Sequence, residues 1–214
     1  MNKRLLTLFS LIEPCGTFAD IGCDHGIISK EILDKGVAEK VYAADISAPS
    51  LNKAATLIGR AYEGRFFTFL SDGFSRLPQD IDCALIAGLG GEETLSILDG
   101  APSLPPTLVL QPMKNADKVR RKLVLLGYGI DRDFTFFASD KYYDVIRAKR
   151  GLIFDGYTED EYRFGRDNLR ERSNDFLRFL QMRLNVLNEA LKNAGDPVQV
   201  EKLKRERLKT EELL

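Results

Sequence analysis

Residues 18–26 read FADIGCDHG, and this stretch decides which fold the chain adopts. The apolar residues before Gly22 suit a buried strand, and a helical pattern begins directly after Gly26. A loop between a strand and a helix presents backbone N–H groups and the positive end of the helix dipole to a ligand. The stretch therefore predicts either a loop that holds a nucleotide-like ligand or an ordinary strand-to-helix turn.

Strand and helix patterns alternate outward from this loop. The predicted strands are Phe18–Ile21, Val41–Ala44, Phe66–Leu70, Cys83–Ala87 and Thr107–Gln111, and the predicted helices are Ile27–Lys35, Ser50–Ala61, Glu92–Leu98 and Ala116–Leu126. Residues 131–150 read as two more strands that are joined by a turn at residues 139–141. Strands that alternate with helices predict an α/β fold with a parallel sheet, here finished by an antiparallel hairpin.

The character of the sequence changes near Gly156. From Glu159 to Asn193 almost every residue favours a helix, and the leucines repeat at spacings of three and four: Leu177, Leu180, Leu184, Leu187 and Leu191. Residues 193–197 stop this helix, and a second helix begins at Val198. We expect an α/β domain over residues 1–155 and an antiparallel helical hairpin over residues 156–214. A leucine seam this short favours pairing of the two helices within one chain, and hence a monomer.

Composition bounds the class of protein. The chain has 214 residues, of which 44% are hydrophobic and 29% charged, as in soluble globular proteins. The opening MNKRLLTLFSLIEPCG is basic and then apolar, as in a signal peptide. Its apolar segment is short and is interrupted by Glu13 and Pro14, so we do not expect a signal peptide. The three cysteines lack metal-ligand spacing, which favours the cytoplasm and no metal. The net charge of −1 argues against indiscriminate binding of polyanions but allows a local basic face.

Polar residues follow the carboxyl ends of four predicted strands. Asp20 can accept hydrogen bonds from the loop amides, and Asp45, nineteen positions after Gly26, lies where a carboxylate binds ribose hydroxyls. Asp72 can accept from an adenine amino group, and Gly-Leu-Gly-Gly at residues 88–91 leaves room for the reacting end of a ligand. This coincidence favours a cofactor site over a structural turn. The predicted cofactor-binding residues are Asp20, Gly22, Cys23, Asp24, His25, Gly26, Asp45, Ile46, Asp72, Gly73, Ala87, Gly88 and Gly90.

The glycine pattern narrows the choice of cofactor. A dinucleotide site usually shows G-x-G-x-x-G, whereas here Asp24 stands where a middle glycine is expected. A carboxylate suits S-adenosylmethionine, which has no pyrophosphate and carries an ammonium group. A dehydrogenase is therefore the least favoured interpretation, and S-adenosylmethionine is the predicted cofactor.

Several motifs together resemble one enzyme family. The segments DIGCDHG, AADISAPSLNKA, SDGFSRL, IAGLGGEET, LVLQPMKNADKVRRKL and KYYDVIRAKRG occur in the order found in bacterial tRNA (adenine-22-N1) methyltransferases. The resemblance extends over nearly the whole chain and implies a Rossmann-like class I methyltransferase sheet with a C-terminal helical hairpin. It also implies methyl transfer from S-adenosylmethionine to N1 of an adenine in the D-arm of tRNA. One departure is Met113, where the family usually has asparagine, although Asn115 follows two residues later.

For such a reaction the base must be unpaired or flipped, and its N1 aligned with the methyl group. We expect Asp24 and His25 at the amino-acid end of the cofactor or near the base, Gln111 and Asn115 at the adenine edge, and Tyr143 as a stacking residue. For each of these a purely structural role remains open. The candidate phosphate contacts are Lys3, Arg4, Lys118, Arg120, Arg121, Lys122, Arg147, Lys149 and Arg150, with Arg163, Arg166, Arg170 and Arg172 further along the chain.

Two other functions remain open from the sequence. The first is a methyltransferase that acts on another RNA, a protein or a small molecule. The second is a non-catalytic, cofactor-binding module whose helical hairpin recruits a partner, which the departure at Met113 keeps open.

Overall fold

A seven-stranded sheet forms the centre of the protein, whose computed structural model describes residues 1–153 and 155–214. The strands are β1 (Cys15–Ile21), β2 (Ala38–Asp45), β3 (Phe66–Leu70), β4 (Cys83–Ala87), β5 (Thr107–Gln111), β6 (Tyr128–Ala138) and β7 (Lys141–Arg150). Their order in the sheet is β3-β2-β1-β4-β5-β7-β6. The strands β1 to β5 are parallel, and β7 runs antiparallel to both of its neighbours. The predicted sheet and its terminal hairpin are confirmed.

Nine helices surround this sheet within the described residues. They are α1 (Lys3–Phe9), α2 (Ile27–Asp34), α3 (Ala48–Ile58), α4 (Gly91–Asp99), α5 (Ala116–Leu125), α6 (Glu159–Phe164), α7 (Arg166–Glu171), α8 (Asn174–Asn193) and α9 (Pro197–Glu212). The end of the predicted helix Ser50–Ala61 is instead a 3-10 turn at Gly59–Tyr62. The sequence analysis did not predict α1, which Asn2 caps by accepting a hydrogen bond from the amide of Leu5.

The C-terminal segment differs in one respect from the prediction. Residues 159–193 form three helices rather than one, because the chain leaves the helical conformation at Gly165 and Arg172. Ser173 then caps α8 by accepting from the amide of Phe176. The helices α8 and α9 pack together as the predicted hairpin. Along the leucine seam the side chains of Leu180 and Leu187 are buried. Three others are half-buried: Leu177, Leu184 and Leu191.

The central strands are buried on both faces, which explains their continuous apolar sequences. On β5, Leu108 and Leu110 pack in the core on one face of the sheet, and Val109 packs in the core on the other. Each of these three side chains is fully buried. This double burial fixes the carboxyl ends of β1 to β5 along one edge, where the predicted cofactor residues lie.

Strand β6 is an edge strand that the C-terminal helices cover. Three of its alternate backbone amides donate to side chains of α7 and α8. The pairs are Asp133 with Asp167 (2.9 Å), Thr135 with Asn168 (2.8 Å) and Phe137 with Asp175 (2.9 Å). Because these acceptors occupy donors that an exposed edge would offer to another strand, the helices protect the sheet from edge-to-edge pairing.

The described residues contain no helix with both the length and the apolar character needed to cross a bilayer. In the same part of the chain, no three side chains of the metal-binding types form a group that could hold an ion. The cysteines are free thiols: Cys23 and Cys83 are buried and Cys15 is half-buried.

Candidate functional site

A cavity of about 550 Å³ opens at the carboxyl ends of the parallel strands. Eleven of the thirteen predicted cofactor residues line it: Asp20, Gly22, Cys23, Asp24, His25, Asp45, Ile46, Asp72, Gly73, Ala87 and Gly88. The other two, Gly26 and Gly90, lie in the adjoining turns and are not part of its wall. The structure thus brings the motifs of four separate strands to one concave surface.

The loop after β1 has the tight turn that its glycines predicted. Gly22 and Gly26 both have φ angles of +70°, in the left-handed region that favours glycine. The carboxylate of Asp45 holds this loop, because its Oδ2 accepts from the amide of Asp24 (3.1 Å) while its Oδ1 accepts from the amide of Ser47 (2.8 Å). Asp45 therefore links the end of β2 to the loop of β1 and faces the cavity.

Asp20 lies beneath the loop and is buried. Its Oδ2 accepts a hydrogen bond from the hydroxyl of Ser29 (2.6 Å), which joins β1 to the first turns of α2. Burial raises the pKa of Asp20 to about 6, and the nearby charge of Asp45 adds to the rise while the bond from Ser29 opposes it. Asp20 can therefore titrate just below neutral pH.

Asp24 and His25 lie at the mouth of the cavity. The Nδ1 atom of His25 is 2.8 Å from Oδ2 of Asp24, and both side chains are largely exposed. The preceding residue, Cys23, is buried, and this burial raises the pKa of its thiol. Cys23 therefore lines the site as a neutral packing residue rather than as a thiolate.

The residues predicted to hold the base are not among those that line the cavity in the described part of the chain. Gln111 is fully buried: its Oε1 accepts from Nε of Arg4 (2.7 Å), and its Nε2 lies 3.4 Å from the sulfur of Met113. Asn115, just before α5, donates a hydrogen bond to Glu92 of α4 (3.0 Å).

Tyr143 is half-buried against the core, where its ring stacks on Phe136 at 5.7 Å between centroids. None of the three side chains contributes to the cavity surface formed by the described residues. Their catalytic roles stay predictions.

One predicted phosphate contact is wrong. Arg120 is 0% exposed, and its guanidinium donates to both carboxylate oxygens of Asp133 at 2.9 Å. It also donates to the backbone carbonyl of Tyr162 (3.1 Å). A fully buried and paired arginine is inaccessible to a phosphate group, so Arg120 joins α5 to β6 and α6 instead.

The remaining basic candidates divide by position. Arg147 lies opposite Val109 in the β5–β7 register, and Lys149 lies opposite Thr107, the first residue of β5. Lys149 is thus four residues, or about 13 Å, from the cavity end of β5. Arg150 follows it and contacts Tyr128. Lys149 and Arg150 therefore lie near the end of the sheet opposite the cavity, and Arg147 lies level with the middle of β5.

Most of the other basic candidates already have acidic partners. The pairs are Lys3 with Asp175, Lys118 with Glu92, Arg121 with Glu159, Lys122 with Asp99, Arg147 with Asp131, Lys149 with Glu13, Arg163 with Glu206 and Arg166 with Glu161. Arg172 donates to the terminal carbonyl of Leu214, and Arg170 is exposed. Exposed pairs contribute little stability, so a phosphate could replace the carboxylate partner of Lys118 or Arg121.

Helix α1 contributes a wall of the cavity that the sequence analysis missed. Asn2, Arg4 and Leu5 line it, of which Arg4 was expected only as a contact to RNA. Leu5 and Leu8 also pack against the core, with Leu8 fully buried. The spacing of Leu5, Leu8 and Ile12 is a helical signal, but the helix is only seven residues long.

The fold and the cavity together define a Rossmann-like α/β protein with a nucleotide-type binding site at its strand ends. Residues 1–146 match the family described as "Methyltransferase domain". The chain therefore belongs to the methyltransferase domain family.

Individual proteins that are similar to this chain support the family assignment. A Mycoplasma pneumoniae protein, provisionally named a tRNA methyltransferase, is 35% identical over 128 residues; the match covers 58% of this chain and 59% of that relative. M. capricolum TrmK, solved with S-adenosylhomocysteine, has a TM-score of 0.92 at 22% identity over 99% of this chain and 96% of that one. The B. subtilis m1A22 tRNA methyltransferase TrmK has a TM-score of 0.86 at 23% identity over 100% of this chain and 98% of that one. These structures confirm the fold over its whole length.

Proposed function

We propose that this protein transfers a methyl group from S-adenosylmethionine to N1 of adenine 22 in the D-arm of tRNA. The observation that carries the proposal is the convergence of Asp45, Asp72 and the loop at residues 22–26 on one cavity. The solved structures of tRNA m1A22 methyltransferases share this fold, and the Mycoplasma pneumoniae relative points to the same class of substrate.

The donor set of the cavity fits the cofactor. The carboxylates of Asp45 and Asp72 can accept hydrogen bonds from ribose hydroxyls and an adenine amino group, and the loop amides can donate to the ligand. A volume of about 550 Å³ lies in the range of ordinary ligand sites. Asp24 at the mouth provides a negative charge for an ammonium group. When bound, S-adenosylmethionine supplies a methyl group that is activated by its positively charged sulfur.

The residues around the mouth suit a reaction whose product is a cation. Methylation of N1 leaves a positive charge on the adenine, and the cavity is lined by several carboxylates: Asp20, Asp24, Asp45, Asp72 and Glu93. Such an environment stabilises the developing charge better than an acid would. Ala87 lines the cavity at the end of β4 and presents little side-chain bulk, which leaves room for a flipped base.

Lys118 and Arg121 are the basic residues of α5 whose exposure suits contact with the tRNA backbone. Lys118 is exposed and pairs with the surface carboxylate of Glu92. Arg121 is half-buried, pairs with Glu159 and also lies over the ring of Tyr162. Replacing both should weaken tRNA binding and make it less dependent on salt, because fewer counterions are then released.

The helices α8 and α9 pack against each other within one chain, with Leu180 and Leu187 of the seam buried, which supports a monomer. We place the boundary between the catalytic domain and the helical segment near residue 156, and the protein in the cytoplasm with tRNA as its partner.

The test is methyl transfer to defined RNA. The purified protein is incubated with methyl-labelled S-adenosylmethionine and an unmodified tRNA transcript, and N1-methyladenine is mapped. We expect one labelled position, which disappears from a matched transcript with guanine in place of adenine 22. Label at another nucleotide would remove the substrate assignment but keep the enzyme class. Cofactor binding without transfer to any RNA would instead favour the interaction module.

A further inference from the structure

Arg4 differs from every other described residue that lines the cavity. The charged side chains around it are carboxylates, and Arg4 is the one lysine or arginine among these lining residues. It lies on α1, which is held against the core by the fully buried Leu8. Its backbone position is therefore fixed, and its side chain extends over the ends of β4 and β5.

The guanidinium of Arg4 is held from one side. Its Nε donates to Oε1 of the buried Gln111 at 2.7 Å, and its centre lies 5.5 Å from the ring centroid of Tyr143. Its Nη2 lies 2.9 Å from the point where a Cβ on Gly88 would be, so the absence of a side chain there makes room for it. The group is thus positioned at the reacting end of the cavity.

The other donors of Arg4 remain available. Across residues 1–153 and 155–214, its Nη groups donate no hydrogen bond, and Arg4 forms no ion pair with the carboxylates of the cavity. A guanidinium stays charged at neutral pH and offers a planar pair of donors that fits two oxygens of a carboxylate or phosphate. No carboxylate of the described residues occupies the Nη donors of Arg4, so they are open to a ligand.

We propose that Arg4 binds an oxyanion of the ligand beside Gly88, while Gln111 holds the guanidinium in position. This inference rests on the proposed function and assigns Gln111 a positioning role in place of a direct contact to the base. Two ligand groups have the required chemistry: the carboxylate of the cofactor and a backbone phosphate of the target RNA.

The test compares Arg4→Gln with Arg60→Gln, which removes an exposed arginine from a turn outside the cavity wall. Calorimetry measures the affinity for S-adenosylhomocysteine and for methylthioadenosine, which lacks the amino-acid carboxylate. If Arg4 binds the cofactor, Arg4→Gln loses tenfold or more in affinity for S-adenosylhomocysteine but keeps its affinity for methylthioadenosine. If it binds RNA, both affinities persist, while KM for tRNA rises tenfold or more and the salt slope falls by about one.

Two further variants separate position from charge. Arg4→Lys keeps the charge without the fork and should recover only part of the lost affinity. Gln111→Leu keeps Arg4 but removes the side chain that holds it. It should lower the affinity for the same ligand as Arg4→Gln does, S-adenosylhomocysteine or tRNA, but by a smaller factor.

The inference is overturned if Arg4→Gln matches Arg60→Gln in Tm, in both affinities and in KM for tRNA. A wild-type protein that binds neither S-adenosylhomocysteine nor tRNA would instead overturn the proposed function. The two failures are therefore distinguishable.

Discussion

At the scale of single residues, Asp45 connects the two parts of the cavity wall. Its carboxylate accepts from the amides of Asp24 and Ser47, and it faces the cavity as well. A carboxylate that is fixed by two backbone amides is preorganised to accept hydrogen bonds from a ligand, since little freedom is lost on binding. Loop geometry and the proposed cofactor binding therefore involve the same side chain.

We expect Asp45→Ala to lower the affinity for S-adenosylhomocysteine by about tenfold to a hundredfold, the usual effect of losing hydrogen bonds to a charged group. Calorimetry measures this change. Asp34→Ala removes a carboxylate that pairs with Lys30 outside the cavity wall, and it should leave the affinity unchanged. Equal affinities for the two variants would remove Asp45 from the site.

Asp20 makes the stability of the fold depend on pH. Its pKa rises from 3.8 to about 6 on folding, chiefly because burial disfavours the charged form. Between pH 4 and 6 the unfolded chain releases a proton that the folded protein retains, so the contribution of Asp20 to stability falls as pH rises. Below this window Asp20 has no effect, and above it the cost is constant at roughly 3 kcal/mol.

Asp20→Asn keeps an acceptor for Ser29 but does not titrate. The free energy of unfolding of the wild type, minus that of Asp20→Asn, should therefore fall by roughly 3 kcal/mol between pH 4 and pH 7. Urea denaturation at several pH values measures it. Asp34→Asn, at an exposed position, should show no such fall; a flat difference for Asp20→Asn would mean that its pKa is not raised.

At the scale of elements, the ion pair of Arg120 with Asp133 holds α5 against β6. Arg120→Met leaves the carboxylate of Asp133 buried without its cation, which should cost about 3–5 kcal/mol. Chemical denaturation measures the loss. Arg121→Met, next along the same helix, breaks a surface pair with Glu159 and a cation–π contact with Tyr162, and it should cost at most about 2 kcal/mol.

Substituting both partners tests the cause of that loss. Arg120→Met combined with Asp133→Leu removes both charges and should regain part of the stability lost by Arg120→Met alone. If the double variant is as unstable as the sum of the single variants, the ion pair is not what joins these elements. The salt dependence of tRNA binding should be unaffected by Arg120→Met, because the side chain is buried.

At the scale of the whole molecule, the helical segment does more than extend the α/β domain. Its side chains Asp167, Asn168 and Asp175 accept from alternate amides of the edge strand β6. Removing residues 156–214 would expose these donors together with the ring of Tyr142, which packs against Phe179 of α8. The boundary proposed near residue 156 therefore separates two functional regions. It does not mark a part that folds independently.

We expect residues 1–155 alone to associate through β6, unlike the full chain. Light scattering at increasing concentration measures this association. At low concentration, where the fragment is monomeric, hydrogen exchange at the amides of Asp133, Thr135 and Phe137 should be faster than in the full chain. A matched point variant is Asn168→Ala, which removes one acceptor and should speed exchange mainly at Thr135; Asn174→Ala, at an exposed position, should not. A monomeric and protected fragment would contradict the edge-protection role.

The sequence by itself determined the alternation of strands and helices and the loop at residues 18–26, because periodicity and turn residues are local signals. It also placed eleven of the thirteen predicted cofactor residues on one cavity, since the carboxyl ends of parallel strands must share an edge. Only the tertiary structure decided which basic residues are accessible. Arg120 and Arg121 are neighbours with the same chemistry, yet Arg120 is fully buried and the side chain of Arg121 is 42% exposed. Contacts between distant segments, such as Arg4 with Gln111 and Asp133 with Asp167, leave no periodic signal, because each depends on how whole elements pack.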